Sequence, residues 1–353
     1  MDTLLDKIEG SLVGGAVGDA LGYPVEFWDY GKILMKYGEG GITSFELKNG
    51  EAEISDDTQM TLYTACGLLN GYEAGLTIKN PEEMARDYIW EAYKEWYSLQ
   101  ITRHSQLRNP LCFISSLTAM QAWRAPGMTC MHALKDGKPG SLSWHVNDSK
   151  GCGGIMRVAP VALLNEPHSS SEEKARLAAE TSALTHGHSL GFLPSAVLVY
   201  LLNEIVYPSR DWKSLAEVIE YTLGQIHKIY GKQYARTGYM LQLVRHAMEL
   251  AERNQSVTDE RVISMLGEGK VAEETLAIAV YCSLKYSDSF EKAIIASVNH
   301  GGDSDSTGAV TGNLLGAWLG VKAIPHQFRY HVEAAGTIED IAERLLLRTQ
   351  GTS

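Results

Sequence analysis

The sequence has few cysteines, and they form no pattern that binds metal or builds a disulfide framework. The five are scattered without a Cys-x-x-Cys pair, at Cys66, Cys112, Cys130, Cys152 and Cys282. Thiolate zinc sites and disulfide-rich domains depend on closely spaced cysteines, so we expect neither. An odd, scattered set is typical of a chain that works in a reducing compartment.

Basic residues are scarce relative to acidic ones. The chain has 31 Lys and Arg against 43 Asp and Glu, a net charge of −12, and a pI near 5.4. Bulk binding of nucleic acid depends on clustered positive charge, so the composition predicts none. Local positive sites for a phosphate-bearing ligand stay open.

The sequence also shows no targeting signal or long hydrophobic run. Acids lie between Met1 and Lys7, where a secretory signal would carry a basic region, and no apolar run approaches membrane-spanning length. Together with the cysteine usage, this predicts a cytoplasmic protein without a membrane partner.

Helical periodicity dominates the chain. Its 353 residues, 44% of them hydrophobic, can bury a large core. Apolar residues recur at three- and four-residue spacing in the segments 5–21, 58–70, 82–97, 111–123, 172–186, 191–206, 212–229, 234–252, 271–285, 289–298, 306–320 and 338–348. Strand signals are few, with a short extended piece at 40–47. The pattern predicts an all-α, multi-helix fold.

The least regular stretch is 125–154, where Pro126, Gly127, Gly137, Pro139 and Gly140 interrupt the helical pattern. Either a domain boundary or a functional loop has this composition. The helices on both sides look alike, which favours a functional loop and a single domain over residues 1–353.

Two acidic clusters open helical runs at opposite ends of the chain. They are Ser55-Asp56-Asp57-Thr58 and Gly301-Gly302-Asp303-Ser304-Asp305-Ser306-Thr307. Ser and Asp are ordinary helix N-caps, and capping alone explains either cluster. Four carboxylates with neighbouring hydroxyls exceed what capping requires and suit the oxygen-ligand demand of Mg²⁺. We therefore predict that the clusters meet and hold divalent metal.

Glycines recur every four residues in the helices beside these clusters. Gly14, Gly18 and Gly22 follow this spacing near the amino terminus, and Gly308, Gly312, Gly316 and Gly320 follow it near the carboxyl terminus. The bare faces predict very close packing of the two helices, as in small-residue stripes of membrane helices. Such packing would bring Asp19 and Glu26 near Asp303 and Asp305.

Three further motifs are weaker. The run Ser149–Gly154 exposes consecutive N–H groups that can cradle an anion, with Arg157 as a charge partner, or it is a tight turn. Residues 267–272 resemble a degenerate dinucleotide fingerprint, but no strand precedes them, and we expect a surface turn. His186 and His188 lack a third zinc ligand at suitable spacing, which favours polar lining of a site or a position at the end of a helix.

Five ordered motifs are similar to those of the ADP-ribosylglycohydrolases, over about residues 8–345. They are Gly14–Glu26, Ser55–Met60, Gly153–Pro160, Thr185-His186 and Gly301–Ser306. The resemblance implies an all-α, orthogonally packed domain with a centre of two Mg²⁺ or Mn²⁺ ions.

The resemblance also implies roles for individual residues. The metal ligands would be Ser55, Asp56, Asp57, Asp303, Asp305 and Ser306. Glu26 would lie over the ribose, and His186 would line the adenosine side of the cleft. The loop carrying Ser149, Gly151, Gly153 and Gly154 would bind the diphosphate, with Met156 and Arg157 beside it. Serine stands at 55 and 306, where the family more often has threonine.

Hydrolysis of a glycosidic bond needs stabilisation of an oxocarbenium-like state and a delivered water. Asp57 or Asp305 is the candidate base, and Glu26 is a candidate acid. The first hypothesis is therefore removal of ADP-ribose from modified protein side chains, arginine before others. A metal-dependent phosphohydrolase of nucleotides and a non-catalytic binding or structural protein of the same fold are the alternatives.

Overall fold

The computed structural model describes residues 2–78, 85–102, 109–166, 169–253 and 257–347, and helices make up nearly all of their regular structure. The α-helices in these residues are α1 (Asp2–Gly22), α2 (Tyr30–Tyr37), α3 (Asp56–Glu73), α4 (Ala85–Thr102), α5 (Thr118–Gln121), α6 (Met128–Asp136), α7 (Ala159–Leu163), α8 (Ser171–Ala183), α9 (Ser189–Val206), α10 (Leu215–Tyr230), α11 (Thr237–Glu252), α12 (Asp259–Leu266), α13 (Ala272–Lys285), α14 (Phe290–Val298), α15 (Ser304–Leu319), α16 (His326–Arg329) and α17 (Ala335–Leu347). Short 3₁₀ turns cover Tyr23–Val25, Phe113–Ser116, Cys152–Gly154 and Val321–Ala323. The prediction of an all-α fold is confirmed.

A small antiparallel hairpin is the one sheet in the described residues. Strands β1 (Leu47–Lys48) and β2 (Glu51–Ala52) pair Leu47 with Ala52 and Lys48 with Glu51. Asn49 and Gly50 between them both have positive φ, the geometry that a two-residue hairpin turn requires. The predicted extended piece at 40–47 therefore lies mostly before the strands, and the Asn-Gly pair was the better signal.

Helices α1 and α15 pack with their backbones in direct contact. A Cβ atom added at Gly14 would lie 2.4 Å from the carbonyl oxygen of Gly312, and one added at Gly316 would lie 1.9 Å from that of Gly10. Only glycine fits at these positions, so the predicted close packing is confirmed. Gly10 extends the stripe, whereas Gly320 terminates α15 with a φ of +83°.

Helix α9 runs through the interior and packs on α7, α8, α10, α13 and α15. It has 18 residues and a mean hydropathy of 1.6, long and apolar enough by composition to cross a membrane. The expectation that no apolar run approaches that length is therefore wrong. In the fold, 94% of this helix is buried among other helices, which accounts for its composition.

Most predicted helices are found, and the main exception is 111–123. That segment forms a 3₁₀ turn and the four-residue α5, separated by Leu117 in an extended conformation. The backbone N–H groups of Leu111 and Cys112 donate to the carboxylate of Glu95, and the hydroxyl of Ser115 contacts the hydroxyl of Tyr63. Such side-chain bonds compete with a continuous helix.

Five short helices, α2, α6, α7, α12 and α16, had no sequence prediction. The longest of them has nine residues, which is too few for a three- to four-residue periodicity to repeat convincingly. The predicted residues 82–84 and 348 lie outside the described part of the chain.

Buried side chains form one hydrophobic cluster that runs from Ile8 in α1 to Leu346 in α17. Helices from before and after the irregular stretch 125–154 both contribute to it, because α3 packs on α7 and α1 packs on α17. The single-domain organisation stays a prediction. The packing places the starts of α3 and α15 side by side against α1, where the polar residues of the next section lie.

Candidate active site

Five carboxylates line one cavity of about 430 Å³: those of Glu26, Asp56, Asp57, Asp303 and Asp305. Glu26 follows the 3₁₀ turn after α1, and the aspartates stand at the starts of α3 and α15. Oxygen atoms of Glu26, Asp303 and Asp305 lie within 4.8 Å of one another. The two acidic clusters, separated by about 250 positions in the sequence, therefore share one site.

Asp19 holds the first cluster in place. Its carboxylate is fully buried in α1 and accepts hydrogen bonds from the backbone N–H groups of Ser55 and Thr58, at 3.0 and 3.1 Å, and from the Thr58 hydroxyl. These N–H groups are free donors at the start of α3. Asp19 thus caps a helix in trans, and it fixes the direction in which Asp56 and Asp57 project.

The second cluster is held by backbone contacts with two neighbouring loops. The N–H of Asp303 donates to the carbonyl of Glu268 at 2.8 Å, and the N–H of Phe27 donates to the carbonyl of Gly302 at 2.7 Å. Gly302 has a φ of +150°, and a Cβ there would lie 2.0 Å from the Glu268 oxygen, so only glycine allows this approach. The contact with Phe27 ties Glu26 to the same cluster.

Ser55 differs from the other predicted ligands in its position. It is fully buried, it is not among the described residues that line the cavity, and its hydroxyl accepts the N–H of Asp57 at 3.1 Å. This is the N-cap arrangement that the sequence left open. Ser306, by contrast, lines the cavity beside Asp305.

Burial and mutual repulsion raise the pKa values of these acids. Burial, followed by the charges of Asp303 and Asp56, raises the pKa of Glu26 to about 8. Burial also raises the pKa of Asp56 to about 8 and that of Asp19 to about 6, and it raises the pKa values of Asp57, Asp303 and Asp305. Because like charges in a low-dielectric site oppose one another, the cluster favours bound positive charge.

The residues fit a divalent metal centre. Within the described chain, none of the five carboxylates that line the cavity forms an ion pair with Lys or Arg, and Oδ2 of Asp57 is buried without a hydrogen-bond partner. An uncompensated set of buried carboxylate oxygens is costly unless cations or protons neutralise it. Hard oxygen ligands of this kind suit Mg²⁺ or Mn²⁺.

The glycine-rich loop forms another part of the cavity wall and contacts Asp303 through Cys152. Gly151 and Gly153 line the cavity together with Met156 and His186. Gly153 has no room for a larger side chain, because a Cβ would lie 3.0 Å from Cε1 of His186 and 3.2 Å from Sγ of Cys130. Ser149 and Gly154 lie behind this wall, where the Gly154 carbonyl accepts the hydroxyl of Ser182.

Arg157 lies beneath the cavity and not on its surface. It is fully buried, its guanidinium donates to Oγ1 of Thr185, the carbonyl of Thr181 and Sγ of Cys130, and it stacks 4.4 Å from the ring centre of Tyr93. A side chain so enclosed cannot pair with a bound anion, so the expected charge partner is corrected to a support for the residues above it. Thr185 in turn contacts Nδ1 of His186 at 2.9 Å.

The two histidines of the 186–188 stretch separate into different roles. His186 lines the cavity at 1% exposure, and burial, followed by the charge of Arg157, lowers its pKa to about 3, so the ring is neutral. Nδ1 of His188 accepts the N–H of Leu190 and caps α9. Residues 187–191 also have Gly-x-Ser-x-Gly spacing, but Ser189 begins α9 and does not line the cavity.

Sequence patterns did not single out several residues of the cavity wall. Cys152 donates its thiol to Oδ2 of Asp303 at 3.2 Å, and Gly127 donates its N–H to Oδ2 of Asp56 at 3.0 Å. Phe27 and Lys270 stand at the mouth. The turn at 267–270, expected at the surface, thus also supports the second acidic cluster. Its two glycines, Gly267 and Gly269, have positive φ and were the available signal.

The fold is all-α, and its cavity is lined by five carboxylates and by a glycine-rich loop. The ADP-ribosylglycohydrolase family model matches residues 1–353. The chain therefore belongs to the ADP-ribosylglycohydrolase family, and the resemblance predicted from its motifs is confirmed.

Individual relatives are distant. ADP-ribosylhydrolase ARH3 of Mus musculus is 25% identical over 97% of this chain and 91% of its own length, whereas the match to the Bos taurus protein of that name, at 26% identity, spans 59% of this chain and only 60% of that protein. ADP-ribosylarginine hydrolase Tri1 of Serratia proteamaculans is 25% identical over 97% of this chain and 79% of its own length. A solved ADP-ribosylglycohydrolase-related protein complex shares the fold, with a TM-score of 0.58, 23% identity, and coverage of 99% of this chain and 100% of that one.

Proposed function

We propose that this chain is a hydrolase that uses two Mg²⁺ or Mn²⁺ ions to remove ADP-ribose from modified proteins. Its preferred substrate would be ADP-ribose linked to arginine. One observation carries the proposal. Five carboxylates without a cationic partner in the described chain line a single cavity together with a glycine loop, in a member of the ADP-ribosylglycohydrolase family.

Asp56, Asp57, Asp303, Asp305 and Ser306 would hold the metal ions, with Ser55 below them. When bound, two divalent cations supply positive charge to the ribose hydroxyls and to the reacting water. The side chains and the glycine loop that line the cavity would position the substrate next to that charge.

The carboxylates of the cavity can donate and accept the protons that hydrolysis requires. Glu26 is half-buried at the mouth, next to the exposed Phe27, where a leaving group departs and can take up a proton. Of the two candidate bases, Asp305 already accepts the N–H of Ser306 at Oδ1, whereas Oδ2 of Asp57 has no partner among the described residues. Both aspartates line the cavity, so either can act as the base that accepts a proton from water. Such general acid–base help contributes about 10²–10⁴-fold in rate.

The glycine loop and His186 would orient the substrate. Gly151 and Gly153 line the cavity without a side chain, so a diphosphate can approach the loop backbone closely there. The neutral ring of His186 packs beneath this loop and lines the adenosine side.

Preference for arginine is supported by charge. A guanidinium leaving group is attracted to a carboxylate-rich mouth, and an acceptor that ends in phosphate is repelled by it. One relative along nearly the whole chain is named as an ADP-ribosylarginine hydrolase.

The test is a parallel incubation, with Mg²⁺ or Mn²⁺, of peptides that carry arginine-linked or serine-linked ADP-ribose and of ADP-ribosylated nucleic acid. We expect free ADP-ribose as the product and a higher kcat/KM for the arginine peptide. A serine preference of tenfold or more would overturn the arginine assignment alone. AMP as the product would indicate a phosphohydrolase, and no product from any substrate would indicate a binding protein. The Asp303→Asn variant serves as the inactive control.

A further inference from the structure

A lysine stands at the mouth of the acidic cavity. Lys270 is the one cationic side chain among the described residues that line the cavity, and five carboxylates line the same cavity. It lies between α12 and α13, its side chain is 51% exposed, and its ammonium pairs with the carboxylate of Glu268. The Nζ atom lies 5.9 Å from the ring centre of Phe27, the residue after Glu26.

The backbone of Lys270 is attached to the glycine loop. The Lys270 carbonyl accepts the N–H of Cys152 at 3.3 Å, Val271 forms a bridge with Gly151, and the N–H of Ala272 donates to the carbonyl of Lys150 at 2.9 Å. These contacts hold the backbone of Lys270 beside the loop, independently of the conformation of its side chain. A cation is thereby placed beside the part of the loop that lines the cavity.

The other cations close to the loop are already committed. Lys150 pairs with the carboxylate of Glu273, which is only 1% exposed, so removing that lysine would leave a buried charge unpaired. Arg157 is enclosed beneath the floor. The partner of Lys270, Glu268, is instead 61% exposed, and such surface ion pairs contribute little to stability because water solvates both partners. Lys270 can therefore exchange its partner at small cost.

We propose that Lys270 binds the diphosphate of ADP-ribose, releasing Glu268 as phosphate oxygens take its place. The inference rests on the proposed function and adds the residue that lets a dianionic group enter a cavity lined by acids. Charge-assisted bonds from an ammonium to phosphate oxygens are stronger than those from neutral N–H groups. The side-chain-free loop would then admit the diphosphate close to its backbone, and Lys270 would offset the repulsion from the carboxylates.

Calorimetric titration with ADP-ribose, in the presence of Mg²⁺, tests this. We expect Lys270→Met to raise the Kd for ADP-ribose by roughly tenfold or more, Lys270→Arg to restore most of the affinity, and Glu268→Gln to tighten binding. Adenosine, which carries no phosphate, should bind Lys270→Met and the unaltered protein equally. The matched control is Lys32→Met, which removes the same charge from a lysine that stacks on Trp28 outside the cavity.

Two outcomes separate this inference from the proposed function. Equal ADP-ribose affinity in Lys270→Met and the unaltered protein would overturn the role of Lys270 and leave the proposed function intact. Failure of the unaltered protein to bind ADP-ribose with either Mg²⁺ or Mn²⁺ would overturn both. A loss in Lys32→Met as large as that in Lys270→Met would show a general charge effect and also overturn the assignment.

Discussion

Gly18 in α1 lies directly against Gly308 in α15, so closely that a Cβ atom at Gly18 would be 2.0 Å from the Gly308 carbonyl oxygen. The next residue in α1 is Asp19, which orients the first acidic cluster, and α15 begins with the second. The distance between the helices therefore sets the distance between the clusters. The site therefore requires glycine at both positions, because a side chain at Gly18 or Gly308 would push the two helices apart.

Replacing Gly18 by alanine should destabilise the protein by about 3 kcal/mol or more, because both backbones would have to move apart. Mn²⁺ affinity should fall as well, since the clusters separate with the helices. Urea unfolding and calorimetry measure the two effects. Gly224 in α10 is the control, because a Cβ there meets no atom within 4 Å, and Gly224→Ala should be neutral or stabilise by up to about 1 kcal/mol. Similar stabilities for the two variants would contradict the packing argument.

Divalent metal should require both acidic clusters, since neither supplies enough oxygen ligands alone. Asp56→Asn and Asp303→Asn should each weaken Mn²⁺ binding by more than about 10-fold in calorimetry, while both proteins remain folded. Asp136→Asn, which alters an exposed acid at the end of α6, should bind Mn²⁺ normally. Normal stoichiometry and affinity in both site variants would rule out a shared centre.

Glu26 is expected to act in catalysis more than in metal binding. Glu26→Gln should lower kcat by about 10²–10⁴-fold and leave the affinities for Mn²⁺ and ADP-ribose unchanged. Oxygens of Glu26 and Asp303 nevertheless lie within 4.8 Å of each other, so the outcome is informative. A loss of Mn²⁺ affinity as large as that in Asp303→Asn would make Glu26 a metal ligand instead.

Neighbouring glycines of the loop should respond differently to substitution. In Gly153→Val the new side chain meets His186 and Cys130 and covers the cavity wall, so ADP-ribose affinity should fall far more than Mn²⁺ affinity. At Gly154 a Cβ would lie 2.8 Å from the Gly191 carbonyl oxygen, so Gly154→Ala should mainly lower thermal stability. Equal losses of the two affinities in Gly153→Val would mean that the loop is structural only.

A buried lysine away from the site should make stability depend on pH. Lys174 in α8 is 2% exposed, and burial, opposed by Glu166, lowers the pKa of its amine from the usual 10.5 to about 7. Between those values the unfolded chain binds a proton that the folded chain does not, so the free energy of unfolding should rise from about pH 7 to about pH 10.5. Below pH 7 both states bind the proton, and Lys174 contributes no further change with pH. Its Nζ donates to the carbonyls of Ala162 and Leu164.

Urea unfolding between pH 7 and pH 10 checks this in Lys174→Met, which should lack that rise. The exposed Lys213 provides the control, since Lys213→Met should keep the slope of the unaltered protein. Parallel pH profiles for the unaltered protein and Lys174→Met would show that the amine stays charged in the fold.

Much of this protein follows from local sequence. Apolar spacing over several turns predicts the long amphipathic helices. A four-residue repeat of glycine predicts the bare faces of α1 and α15. The acidic clusters are readable for the same reason, because Asp56-Asp57 and Asp303–Asp305 stand where helices start. Three of the five family motifs lie in or beside α1, α3 and α15: Gly14–Glu26, Ser55–Met60 and Gly301–Ser306.

Tertiary structure decided which cation and which serine line the acidic cavity. Arg157 and Lys270 both follow glycine-rich runs. Arg157 is nevertheless buried against Tyr93 and Thr185, whereas Lys270 lines the cavity at its mouth. Ser55 and Ser306 flank similar acids, but only Ser306 lines the cavity. The direction and burial of a side chain depend on elements that are distant in the chain, and local spacing contains no information about them.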